Sequence, residues 1–359
     1  MLLKNCAVKD FFEKYTGKNT ACFGVGNYFN GLCDECRDKE ININFLCLID
    51  NDELKQGKTY LVNGKKIPVI SVEQAAKSNI DVIIIASAYY SQIIRQLESY
   101  SEFENIECYI YPLMVISENR TSEIINPPKG EIKIPKIIHY CWFGKNPKPE
   151  FDKKCIESWK KYCPDYEIIE WTEKNYDIEK NRYTQEAYKH KKWAFLSDYA
   201  RLDILYNYGG IYFDTDVEVV RNIDELLTYD AFMSIEMAGG VNSGNGMGAK
   251  KGMPVVKEMM DMYNNIKILN ENGKYRTIPN ANYETNILKK YGFKKNNKFQ
   301  IIDDVAIYPF EYFASKVVGL EYIVDFKDKY SIHHYNQSWV DDKEISDSFK
   351  DRILKLLNE

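Results

Sequence analysis

The chain is short of everything that would mark a secreted, membrane-spanning or nucleic-acid-binding protein. Its nine cysteines are odd in number and irregular in spacing, which excludes a disulfide framework. Cys33 and Cys36 form a C-x-x-C with no second pair and no histidine nearby, so a zinc site is not expected and a partly buried thiol pair is. Reduced thiols fit a cytoplasmic setting. The longest apolar run, Val82 to Ala86, is too short to span a bilayer. The first residues carry Lys4, Lys9 and Asp10 in place of a signal-peptide core. There is no excess of positive charge either: the formal net charge of -5 argues against nucleic acid as a partner. No internal repeat or low-complexity tract is visible.

What is present is ample material for two folded units. A length of 359 residues, 45% hydrophobic and 28% charged, suits a soluble α/β protein with two cores. The first third alternates strands with helices. Ala21–Phe23, Asn44–Ile49, Asp81–Ser87 and Ile106–Tyr111 read as strands, with helices over Tyr28–Lys39 and Tyr89–Tyr100. Asn63-Gly64 signals a hairpin, and Ser71 caps a short helix. Apolar strands between helices imply a small parallel sheet covered on both faces. Residues 117–133 are polar and broken by Pro127, Pro128 and Gly130. The expected organisation is therefore a Rossmann-like accessory unit over residues 1–117, a linker over 118–133 and a second α/β unit over 134–359. Gly24-x-Gly26 with Asp50 hints at a dinucleotide fingerprint, but Phe29 stands where a small residue is needed. A structural or docking role is expected for this unit, with a nucleotide ligand left open. Self-association through it is left open too.

In the second unit Lys136–Trp142 and Tyr166–Trp171 read as strands. Phe151–Tyr162, Lys192–Tyr208, Met253–Ile268, Asn280–Tyr291 and Glu344–Leu357 read as helices. Its densest signal is Tyr208-Gly-Gly-Ile-Tyr-Phe-Asp-Thr-Asp216. The glycines let the chain turn sharply out of a helix, and a buried strand then presents Asp214 and Asp216. In extended backbone residues i and i+2 face one side, so the two carboxylates should meet one cation. Hard oxygen donors suit Mn²⁺ or Mg²⁺, with open positions for phosphate oxygens. Asp198 and Arg201, three apart on the preceding helix, share a face.

The order Lys136-Ile-Ile-His-Tyr-Cys-Trp-Phe-Gly144, Ser158-Trp159, Pro164-Asp165-Tyr166, Trp171, Ser197-Asp198-x-x-Arg201 and Tyr208 to Asp216 resembles glycosyltransferase family 32. That family holds DXD-containing sugar transferases of the capsular polysaccharide type, with a core similar to the large clostridial glucosylating toxins. The resemblance covers roughly residues 134–340. It implies a GT-A fold, a divalent metal, retention of anomeric configuration, and a nucleotide-diphospho-sugar donor, a UDP-sugar ahead of GDP-mannose. It also implies a glycan or lipid-linked glycan acceptor in surface polysaccharide synthesis in a bacterial cytoplasm, with peripheral contact to the membrane's inner face left open.

By the same resemblance Asp216 is the direct metal ligand. Asp214 touches ribose and sugar and helps the metal through water, and Asp198 and Arg201 bind the donor. Trp142 stacks on the base, with Tyr140 beside it. Ile332-His333-His334-Tyr335-Asn336-Gln337-Ser338-Trp339 resembles the family's closing element, which makes His334 a diphosphate contact, Ser338 a metal and donor ligand and Trp339 a donor contact. Asn242 and Asn280 fall where the family builds its sugar pocket. Two rival readings are a catalytically weak scaffold of a polysaccharide assembly and a transferase acting on protein.

Overall fold

The structure, a computed structural model, describes all residues except 43, 120–123, 238, 270–272, 274, 276–279, 317–325, 336–346 and 359. The apolar runs of the first third form one seven-stranded sheet. Its strands are β1 (Leu2–Lys4), β2 (Thr20–Phe23), β3 (Phe45–Ile49), β4 (Thr59–Val62), β5 (Lys65–Ile70), β6 (Val82–Ile85) and β7 (Glu107–Ile110), in spatial order β1-β7-β6-β2-β3-β5-β4. All neighbours are parallel except β4 and β5. That pair is the anticipated hairpin: Asn63 and Gly64 both take positive φ, 48° and 78°, as a two-residue I′ turn demands.

Helices α1 (Val8–Lys14), α2 (Asn27–Asp38), α3 (Val72–Ala76), α4 (Tyr90–Glu98) and α5 (Tyr111–Asn119) pack on the sheet. The strand period of two sends Ile83 and Ile85 into one core and Val82 and Ile84 into the other, so both faces are covered. Ser71 caps α3 in a reciprocal box with Gln74. The sequence reading did not anticipate β1, α1 or α5. The last is buried on two sides and so shows no amphipathic period: Leu113 and Ile116 join one core, Met114 and Val115 the other.

A second seven-stranded sheet, of mixed direction, follows. Its strands are β8 (Ile137–Cys141), β9 (Glu167–Trp171), β10 (Gly210–Tyr212), β12 (Ala231–Ser234), β13 (Met247–Ala249), β14 (Gln300–Ile302) and β15 (Val305–Tyr308), in order β14-β15-β12-β13-β10-β8-β9. A separate antiparallel pair joins β11 (Val217–Val219) to β16 (Ser331–His333). The helices are α6 (Glu150–Tyr162), α7 (Arg182–Lys189), α8 (Trp193–Tyr208), α9 (Pro254–Asp261), α10 (Asn280–Lys290) and α11 (Asp347–Asn358).

The two sheets are not independent. Helix α11 packs on the first sheet's core through Ile353, Leu356 and Leu357, and Met237, Phe310 and Ala314 enter the same core. Asn5 Nδ2 donates to the Leu356 carbonyl at 3.0 Å. Helix α2 meets α10, where Lys289 lies 3.2 Å from Asp34 and Asn282 donates to Asn27.

Candidate functional site

The glycine pair is held from below by a buried histidine. Gly209 and Gly210 take φ of 70° and 102°. A Cβ on Gly210 would lie 2.7 Å from the Ile137 carbonyl oxygen and 2.9 Å from His139 Nε2, so no side chain fits. His139 Nε2 lies 2.8 Å from the Gly209 carbonyl, and its Nδ1 accepts from Trp171 Nε1 at 3.1 Å. The second bond requires an unprotonated Nδ1, so Nε2 carries the hydrogen and donates to Gly209. Burial depresses the imidazole's pKa to about 4, which keeps that neutral tautomer in place at physiological pH.

Strand β10 ends at Tyr212, and the chain then turns. Val217 N donates to the Asp214 carbonyl at 3.0 Å, so Asp214-Thr215-Asp216 is a tight turn. The i and i+2 projection expected for extended backbone is thus not how the aspartates are presented. They take different partners. Asp214 Oδ1 accepts from Tyr212 OH at 3.0 Å and lies 3.2 Å from Arg201 Nη2. Asp216 Oδ1 lies 3.1 Å from His333 Nε2. Both carboxylates nonetheless act on His333: burial works against its charge, yet Asp216 and then Asp214 hold its pKa above the ordinary value.

Helix α6 fastens this turn. Thr215 Oγ1 donates to Asp152 at 2.5 Å, Trp159 Nε1 to the Val217 carbonyl at 2.8 Å, and Val219 N to Ser158 Oγ at 2.9 Å. The Ser158-Trp159 pair of the sequence motif therefore anchors the strand that follows the aspartates.

Arg201 is the hub. Its side chain is only 5% exposed, it lies 3.1 Å from Asp198, and its guanidinium sits 4.9 Å from the Tyr212 ring centre. Gly244 closes over it: a Cβ there would come within 2.3 Å of Asp214 Oδ2 and 2.8 Å of Arg201 Nη1. Asn242 Oδ1 accepts from Gly244 N at 2.8 Å and from Asn280 Nδ2 at 3.3 Å, and Asn242 Nδ2 donates to Glu236 at 3.2 Å. Ser243 donates twice to Glu284, through N at 2.8 Å and Oγ at 2.5 Å.

Acidic groups around Arg201 outnumber the cations: Asp198, Asp214 and Glu284 all act on it. Burial raises Asp198 to about 7, with Arg201 opposing and Asp214 reinforcing. Burial likewise lifts Glu236 to about 7 and raises Glu284. A buried cluster with surplus negative charge favours added positive charge.

The structure thus brings together Asp198, Arg201, Asp214, Asp216, Asn242 and Asn280. The side chains of the other expected residues take partners outside that cluster, although His334 N donates to the Asp216 carbonyl at 3.0 Å. Tyr140 is buried on Trp159 with its hydroxyl donated to Glu170 at 2.9 Å. Trp142 donates from Nε1 to the Asn146 carbonyl at 2.7 Å, and Lys148 approaches its ring. His334 is turned to Glu218 at 2.9 Å and to the Phe151 ring, while His333 contacts Asp216. Ser338 and Trp339 lie outside the described residues. The sequence reading passed over His333, Asn245, Tyr212, Asp152, Glu236 and Glu284 as site residues. Register is the signal that finds His333: it pairs with Val217, next to Asp216, and its Nδ1 lies 2.7 Å from Asn245 Oδ1.

The donor set fits a hard divalent ion of the Mn²⁺ or Mg²⁺ kind. Asp216 offers carboxylate oxygens, while Asp214 is partly neutralised by Arg201. Among the described residues no group of three or more His, Cys, Asp or Glu could hold a metal unaided. An ion on Asp216 would complete its shell with water and phosphate oxygens.

Residues 149–233 match a protein family described as the glycosyltransferase sugar-binding region containing a DXD motif. Inositol phosphoceramide mannosyltransferase 3 of Schizosaccharomyces pombe is 35% identical over 35% of this chain and 36% of its own length. Mannosyl phosphorylinositol ceramide synthase SUR1 of Saccharomyces cerevisiae is 36% identical over 33% of this chain and 31% of its own. The chain thus spans about a third of the length of these curated relatives. A solved structure titled PaToxG Glycosyltransferase aligns with 56% of this chain and 78% of its own at 16% identity, with a TM-score of 0.34. The capsular and bacterial expectations find no support in these fungal relatives. Asp198, Arg201, Asp214 and Asp216 all lie within residues 149–233, the stretch that matches this family.

Proposed function

We propose that the protein is a metal-dependent, retaining glycosyltransferase of the GT-A type that moves a hexose from a nucleotide-diphospho-sugar to a glycan or lipid-linked acceptor. The observation that carries this reading is the buried Arg201 hub, ringed by Asp198 and Asp214, beside a second aspartate whose carboxylate offers hard oxygens. In this reading residues 134–359 hold the chemistry, residues 1–117 are an accessory unit and 118–133 join them. The reaction belongs in the cytoplasm, at the membrane's inner face where the acceptor is lipid-linked.

The chain's own residues have distinct tasks. Arg201 fixes the orientation of Asp214 and Asp198, whose carboxylates accept hydroxyl hydrogens of the donor's ribose and sugar. Tyr212 OH holds Asp214 from the strand side. Asn242 and Asn280, tied to each other and to Glu236 and Glu284, line the sugar side. A divalent ion on Asp216 would neutralise charge on the departing diphosphate. The two mannosyl relatives bring GDP-mannose level with UDP-glucose and UDP-galactose as donors to test, and inositol phosphoceramide into the acceptor panel.

The test is incubation with each nucleotide sugar and with glycan, lipid-diphosphate and inositol phosphoceramide acceptors, followed by product identification and assignment of the new anomeric bond by NMR. One donor should give a product of retained configuration. Inverted product would refute the retaining mechanism, and no transfer or hydrolysis with any donor would favour a scaffold.

A further inference from the structure

We infer that the first unit carries a second, metal-independent binding site for a nucleoside diphosphate, separate from the transferase cluster. A cleft of about 460 Å³ opens at the carboxyl ends of β2, β3 and β6. Strand order places β2 between β3 and β6, the point where successive connections run in opposite directions and where doubly wound sheets leave a crevice. The volume suits a small ligand of nucleotide size.

The walls are built for an anion joined to a flat ring. Gly24 takes φ of 99°, and a Cβ on it would lie 2.8 Å from the Ala86 carbonyl oxygen, so the floor is bare backbone. Asp50, the one acidic residue of the lining, is fully engaged. Its Oδ2 accepts from Val25 N at 2.8 Å and lies 2.9 Å from Lys55 Nζ, and its Oδ1 accepts from Asp52 N. It shapes the loop and is not presented to a ribose as a redox fingerprint requires. Phe29, where that fingerprint needs a small residue, is buried in the core. Helices α2 and α4 both begin at the cleft, and neither N-cap side chain bonds its helix; Ser87 Oγ takes the Tyr89 amide at 3.1 Å, so the first-turn amides of the two helices are what is left to meet a phosphate. At the rim Tyr89 is 47% exposed, a platform for a base. Beside it Asn51 and Gln96 exchange two hydrogen bonds across the mouth.

Gly26 supplies the test. It is the N-cap of α2 at φ −138°, and a Cβ there meets nothing within 4 Å. Gly26→Asp therefore adds a carboxylate to the cleft without strain, at a helix position where aspartate is favoured, so the variant should fold. Titration calorimetry of the full chain with UDP, ADP and pyrophosphate, in EDTA, reads the site. The expected result is one-to-one nucleotide binding in chelator, weakened at least tenfold by Gly26→Asp and about tenfold by Tyr89→Ala, and unchanged by Asp216→Asn. Binding that vanishes in chelator or with Asp216→Asn, but ignores Gly26→Asp, would overturn the inference. So would pyrophosphate binding as tightly as either nucleotide. Because the transferase is read through Asp216 and this cleft through Gly26, either assignment can fail alone.

Discussion

A methyl group on Gly244 would have to share space with both Asp214 and Arg201, the closest approach of backbone to charge in the site. Gly244→Ala should therefore push Asp214 and Arg201 aside, destabilising the fold by about 1–3 kcal/mol and cutting transfer by about a hundredfold, the loss typical of misplacing a reacting group by an ångström. Activity and circular dichroism melting on the same preparation check this. Asp198 makes a different prediction. A carboxyl whose pKa is raised on folding, here to about 7, favours the folded state most at low pH, and that contribution is lost as pH rises from about 4 through 7. Asp198→Asn does not titrate, so the Tm of the variant relative to wild type should climb between pH 5 and pH 8. A constant difference would contradict the shift. At this scale the sequence showed which residue types cluster, because spacing on α8 and the glycine pair are local. It could not choose between His333 and His334, since adjacent residues on a strand face opposite ways and only the register with β11 decides.

Among the elements, α6 does what a helix of ordinary amphipathic pattern would not suggest: three of its side chains fix the turn that bears the aspartates. Trp159→Phe keeps an aromatic ring in the core but gives up part of the indole's volume and leaves the buried Val217 carbonyl without its donor. The expected cost is about 1–3 kcal/mol in urea unfolding, with a further fall in activity as the turn loosens. A variant as stable and as active as wild type would show the bond to be incidental. Strands and helices with a clear period were legible. The buried helix α5 and the short strands β11 to β16 were not, because a segment covered on all sides, or only three or four residues long, carries no period to read.

Across the whole molecule, the chain's last helix returns to the first sheet. Ile353 is fully buried among first-sheet residues. Ile353→Ala should destabilise by about 2–5 kcal/mol, the usual cost of such a truncation, with early loss of protection at Leu3 and Cys108 in hydrogen exchange. Protection lost only in the second sheet would contradict that packing. The alternation of strands and helices announced two α/β sheets, but nothing local announces the contact between residues 1 and 352, which is set by tertiary packing alone.

In the proposed reaction the Asp216 carboxylate, which follows the twin-glycine turn, supports departure of a nucleoside diphosphate. The most direct measurement is the rate of diphosphate release from the preferred nucleotide sugar by wild type and by Asp216→Asn, each with Mn²⁺ and with EDTA. The expected result is a loss of about a thousandfold in the variant and a comparable loss in chelator. Equal rates in all four conditions would contradict it.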